Sequence, residues 1–174
     1  MSSILIIIFT SLLNAWQIDT TASQIIYKGQ HPLHSWEGTS REINFKMNCE
    51  KNICELFISV PLNSFDSGND SRDSNMLYYT ESLLYPNVSF KSKKFNFNSV
   101  NDTSIDMSGI LDFHGMQKEI PIKVSLSKES NSFIGKCQFD IDITSFNVER
   151  PSLLMMKISE IIKIQANLKM INID

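Results

Sequence analysis

Glycine is scarce, six residues in 174, and none falls in a phosphate-cradling loop or in the Gly-x-Ser-x-Gly elbow that exposes a hydrolytic serine. His-Glu-x-x-His, the helix signature of zinc proteases, is missing as well. Three cysteines occur, Cys49, Cys54 and Cys137, without metal-motif spacing. Asp66 to Asp73 lacks the order of acidic residues and the closing Glu of a calcium loop. The formal net charge is only −3 and no Lys/Arg run occurs, so nothing offers a cationic stripe to a phosphate backbone. Nucleic acid is excluded as a partner. No apolar run reaches the roughly 20 residues that span a bilayer as a helix, so the chain is not expected to span a membrane.

What is present is a chain that is 42% hydrophobic and 20% charged, enough for one globular domain with a real core. Met1–Leu13 carries the apolar run Ile4–Phe9, which fits the central region of a secretory leader, with small residues following at Ala15 and Ala22. Residues 1–22 are therefore expected to be a leader and 23–174 the folded domain, in the periplasm or secreted. The missing Lys or Arg before the run leaves a buried N-terminal strand as the alternative. Cys49 and Cys54 flank Glu50–Ile53, so a four-residue hairpin loop would set them opposite each other. In an oxidising compartment they can bridge; otherwise they serve as two small buried apolar groups.

The dominant sequence period is two. Ile43, Phe45 and Met47 alternate with polar residues, as do Cys54 through Leu62, Ile120 through Leu126, Phe139 through Ile143, and Ile162 through Met170. Apolar-in, polar-out alternation marks antiparallel strands with one wet face. With weaker candidates at Gln24–Tyr27, Val88–Lys93 and Ser108–Phe113, about eight strands result, a sandwich or a barrel. Only Arg72–Leu84 and Pro151–Met156 read as helical.

The most informative stretch is Ser64–Phe90. A strand runs into the turn Asp66-Ser67-Gly68-Asn69; a short helix follows, capped by Asp70 or Ser71 with Asp73 near its positive end; Tyr85-Pro86 halts it and Val88-Ser89-Phe90 resumes a strand. This run resembles the signature of the YceI-like, lipocalin-type polyisoprenoid-binding family. His34-Ser35-Trp36-Glu37-Gly38 is similar to that family's first-strand His and Gly region. Gly109–Lys118 resembles its "G-x-L-x-x-H-G-x-x-K" strand and turn, and Phe139–Val148 with Lys157–Glu160 its closing strands. The resemblance covers roughly Tyr27 to Leu168.

It implies an all-β fold, an antiparallel eight-stranded lipocalin-like β-barrel with one or two short helices. It also implies a non-enzymatic carrier of a long-chain isoprenoid, quinone or fatty-acid-type lipid, with no cofactor. From the alternation, the expected ligand-binding residues are Leu56, Ile58, Val60, Phe90, Ile122, Val124, Phe139, Ile141 and Ile164, with Arg72 and Met76 on the short helix. Burial is worth about 0.8 kcal/mol per methylene, so a twenty-carbon tail gains on the order of 15 kcal/mol against association costs of roughly 4–15 kcal/mol. The alternative is a periplasmic stress-response or protein-interaction module whose barrel is solid, since eight strands can be filled by their own side chains. A homodimer is left open.

Other candidate chemistry has bland explanations. Ser64, Ser67 and Ser71 beside Asp66, Asp70 and Asp73 read as turn formers rather than a hydrolase site. His31 and His34, an odd number apart on an extended strand, would point to opposite faces and share no metal. Arg72 and Asp73 either hold the junction of helix and barrel or meet a ligand head group.

Overall fold

A computed structural model describes residues 14–98, 102–129 and 131–172. Its strands are β1 (Asn14–Ile18), β2 (Gln24–His31), β3 (His34–Ser40), β4 (Asn44–Glu50), β5 (Ile53–Pro61), β6 (Asn87–Ser92), β7 (Phe95–Asn96), β8 (Ser104–Phe113), β9 (Met116–Glu129), β10 (Ser132–Asp142), β11 (Ser152–Leu153), β12 (Met156–Lys157) and β13 (Ile161–Asn172). One α-helix among the described residues, α1 (Asp70–Tyr79), follows β5.

β1 and β2 run end to end along one edge of β13, with Ile18 opposite Met170 and Gln24 opposite Asn167. β3 and β4 lie end to end against them, Ser40 opposite Ile25 and Met47 opposite Trp16. Counted this way, eight staves follow in chain order, β1/β2, β3/β4, β5, β6, β8, β9, β10 and β13, and the last pairs with the first. The barrel is closed, antiparallel and eight-stranded, as the resemblance implied.

The alternation sets the two faces. Leu56, Val60, Ile122, Leu126, Leu168 and Met170 are buried inside. Outside, cross-strand ion pairs join Lys28 to Glu37, Asp106 to Lys123 and Glu129 to Lys169. Each exposed pair adds little stability, about 0–1 kcal/mol, but together they mark a wall that faces water. Among the described residues no helix is long and apolar enough to cross a membrane.

Four expectations need correction. A domain starting at residue 23 would leave out β1, yet Trp16 is buried in the core and β1 bridges β13 to β4. The barrel starts by Asn14, and the apolar run Ile4–Phe9 lies outside the described residues. The helix is shorter than expected, ending at Tyr79, and its cap is Asn69, whose side chain accepts from the Arg72 N–H. Pro151–Met156 is no helix; it belongs to the β11–β12 hairpin, whose apolar turn carries none of the usual turn residues. The β4–β5 loop is a two-residue turn, Lys51-Asn52, because Glu50 and Ile53 still pair.

The disulfide does form, between Cys49 and Cys54, which face each other across that hairpin. It sits at the closed end of the barrel. There Trp16, Phe97 and Phe133 meet edge to face, with ring centroids 5.5–5.8 Å apart, a preferred aromatic geometry. Met47 and Met170 complete the plug, and the residual void beside it is about 70 Å³.

Candidate functional site: an apolar cavity under the short helix

The opposite end is hollow. A cavity of about 600 Å³ opens there, walled by Val88, Phe113, Ile141 and Ile164 from the barrel strands, by Leu62 and Phe65 from the link between β5 and α1, and by Ile143, Val148 and Ile158 from the segment between β10 and β13. α1 lies over it. Arg72, Met76, Tyr79 and Thr80 recur at helical spacing on the face turned to the cavity. The helix itself buries no residue completely, so it acts as a lid rather than as part of the core.

The lid is pinned at its N-terminal end. Thr39 and Asp66 exchange two backbone hydrogen bonds of 2.8 and 3.0 Å, tying the turn before α1 to β3. Asp73 Oδ2 accepts from the Ser67 N–H at 3.1 Å, and Arg72 donates to the Ser67 carbonyl at 3.3 Å. Both residues thus hold the junction, while Arg72 also lines the cavity. The two readings of Arg72 are not exclusive. At the other end of the lid, His114 donates through Nδ1 to the Phe146 carbonyl at 2.9 Å, and its Nε2 faces the Glu81 carboxylate at 3.1 Å. His114 and Gly115 form the β8–β9 turn with φ of 52° and 70°; at Gly115 a glycine serves both the positive φ and the Tyr85 ring packed above it.

Few polar groups join this lining. The Tyr27 ring covers Gly38 on the neighbouring strand, where a Cβ would come within 2.4 Å of it. Burial pushes the Tyr27 hydroxyl up to about 12, the Asp73 carboxylate adds to the rise, and Arg72 and Trp36 offset part of it. Its proton has no protein acceptor, and Asp73 Oδ1 is likewise buried without a partner. An amphiphile's polar end could satisfy the Tyr27 hydroxyl, since Tyr27 lines the cavity.

His31 and His34 flank the two-residue turn Pro32-Leu33, so they pair across a hairpin instead of alternating along one strand. Their rings lie 5.4 Å apart and both reach the cavity rim. His31 accepts from the Leu33 N–H and donates to the Met156 carbonyl, so structural bonds occupy both ring nitrogens. Among the described residues, no three His, Cys, Asp or Glu side chains come together as a metal site would need.

Of the residues expected at the ligand, Arg72, Met76, Ile141 and Ile164 line the cavity. Leu56, Ile58, Phe90, Ile122 and Val124 also face inward, but onto the small void at the packed end. Val60 is buried with Ile43, Phe65 and Leu168. Phe139 is half-buried against the core and lines neither space. Tyr27, Trp36, Val88, Phe113 and Val148 were missed. The readable signals were the aromatic–glycine pairs of β2–β3 and the inward position of Val88 two residues before Phe90.

This geometry can be set beside known proteins. The family profile described as YceI-like domain matches residues 16–170. The chain belongs to the YceI-like family. Among solved structures, Burkholderia cenocepacia BcnA superposes with a TM-score of 0.76 at 14% identity, covering 88% of this chain and 99% of that one. A polyisoprenoid binding domain from Saccharophagus degradans, implicated in plant cell wall breakdown, gives 0.76 at 17% identity, covering 91% and 99%. The Campylobacter jejuni YceI protein gives 0.62 at 15% identity, covering 76% and 82%. No curated protein sequence matches. At these identities the superpositions establish the YceI-like fold, and the cavity under α1 must be argued from this chain's own residues.

Proposed function

We propose that this protein is an exported, non-enzymatic carrier that holds an isoprenoid, quinone or fatty-acid-type lipid with its tail in the open end of the barrel. One observation carries the reading: a cavity of about 600 Å³ whose wall is almost wholly apolar, with the barrel packed solid beyond it. At about 30 Å³ per heavy atom, the share of a water molecule in the liquid, that space takes roughly 20 heavy atoms. A longer isoprenoid keeps its remainder at the mouth. The polar end stays beside Arg72, Tyr27 and His34, where it meets the Tyr27 hydroxyl that lacks a protein partner. The relative from Saccharophagus degradans, described as polyisoprenoid binding, supports the ligand class.

Export is supported by the Cys49–Cys54 bridge, since disulfides persist in oxidising compartments. A leader would have to end ahead of Asn14, because removing β1 would open the barrel between β13 and β4. Solvent extraction of purified protein followed by mass spectrometry tests the carrier reading. A co-purifying long-chain lipid is expected; repeated empty preparations, with no uptake of added lipid, would favour the interaction module with a solid core.

A further inference from the structure

The β11–β12 hairpin is built against local preference. Both residues of its two-residue turn, Leu154 and Met155, have positive φ, 51° and 65°. Type I′ turns normally place Asn-Gly or Gly-Gly there, because a Cβ crowds the carbonyl in that region. The strain brings no burial: Leu154 is 73% exposed and Met155 94%. Leu33, 61% exposed in the β2–β3 turn, is held alongside, since His31 bonds both the Leu33 N–H and the Met156 carbonyl. Leu153 continues the patch into the cavity, whose wall it helps form. Lys157 is the one charge from residue 151 to 158, exposed and without an ion pair among the described residues.

We propose that this hairpin docks on a phospholipid bilayer, with Leu33, Leu154 and Met155 among the head groups and Lys157 at the phosphates, so that the cavity mouth opens onto the lipid phase. The inference rests on the lipid-carrying reading. A tail that crosses water exposes every methylene on the way, whereas a mouth pressed to the membrane avoids that exposure. The lone cation complements an anionic surface.

The test follows a fluorescent long-chain fatty acid from phosphatidylcholine–phosphatidylglycerol vesicles to the full chain, comparing wild type with Leu154→Asn/Met155→Gly. For wild type, transfer is expected to speed up with vesicle concentration and the protein to float with vesicles. The variant is expected to transfer roughly tenfold more slowly and to stop floating. Its melting temperature should be no lower, because the turn now has its preferred residues. Its affinity for the same probe added from ethanol should be unchanged. Equal transfer rates, a wild-type rate independent of vesicle concentration, or a wild-type dimer that the variant dissociates would overturn the proposal. If the probe fails to bind even from ethanol, the carrier reading falls instead, and vesicle flotation alone still decides the docking claim.

Discussion

The two ends of this barrel are built from the same alternating staves and do opposite things. At the closed end three aromatic rings, two methionines and a disulfide fill the space to a residual void of about 70 Å³. At the open end branched aliphatic residues of the wall stop short of one another, and a helix with no fully buried residue spans a cavity of about 600 Å³. Hollow and solid are therefore not alternative states for a small barrel. The packed end supplies stability, and the open end can then leave apolar surface unpaired.

If that division is correct, substitutions at the two ends should separate stability from binding. The largest effect is expected for Phe97→Ala or Phe133→Ala, which should cost about 3–5 kcal/mol by urea denaturation while leaving lipid uptake intact in the folded fraction. Comparable destabilisation from Ile143→Ala at the open end, without loss of uptake, would show that the two ends do not divide stability from binding. Next comes added bulk. Leu126→Trp, on the packed side, should cost about 1–3 kcal/mol, whereas Ile164→Trp should change stability by less than ~1 kcal/mol and reduce uptake by roughly tenfold or more, because it fills space a ligand needs. Calorimetry with a long-chain probe reads both.

Arg72→Met should weaken probe binding severalfold while shifting stability by no more than about 0.5 kcal/mol, since Asp73 and the Thr39–Asp66 bridge keep the lid in place. Unfolding of this variant would make Arg72 purely a junction residue. The smallest effect concerns pH. Tyr27 ionises near 10 when unfolded and near 12 when folded. Its protonated form is therefore favoured by folding, and its contribution to stability should be lost as pH rises from 10 through 12. Comparing denaturation of wild type and Tyr27→Phe across that window isolates the contribution; identical slopes would remove the buried hydroxyl from the description of the rim.

The sequence was most legible where a single period governed the outcome. The inward faces of β5, β9 and β13 follow from alternation, and Leu56, Ile58, Phe90, Ile122 and Val124 do point inside. Alternation gives the face but not the height along the barrel. Leu56 lies three residues from the β4–β5 turn, so it belongs to the closed end however well its pattern suits a ligand. The segment from Ser64 to Phe90 placed the lid with Arg72 and Met76 because a turn and a later proline bracket it, but not its bounds: Asn69 caps it and it stops at Tyr79, well ahead of Pro86. β1 was hidden inside an apparent leader, since apolar residues near an N-terminus serve either purpose. Alternation alone does not show β3, because Gly38 and polar neighbours interrupt its pattern and the Tyr27 ring across the hairpin fills the gap; there the family resemblance of His34–Gly38 was the guide. The β11–β12 hairpin escaped because Leu154 and Met155 carry no turn signal.

A cavity closed at its inner end should accept a tail of limited length. Dissociation constants for a series of saturated fatty acids, from eight carbons upward, decide whether it does. Affinity should rise by up to about fourfold per added methylene, the equivalent of about 0.8 kcal/mol, and level off near the roughly 20 heavy atoms that the space admits. An affinity indifferent to chain length from the start, or one still climbing well beyond that point, would contradict it.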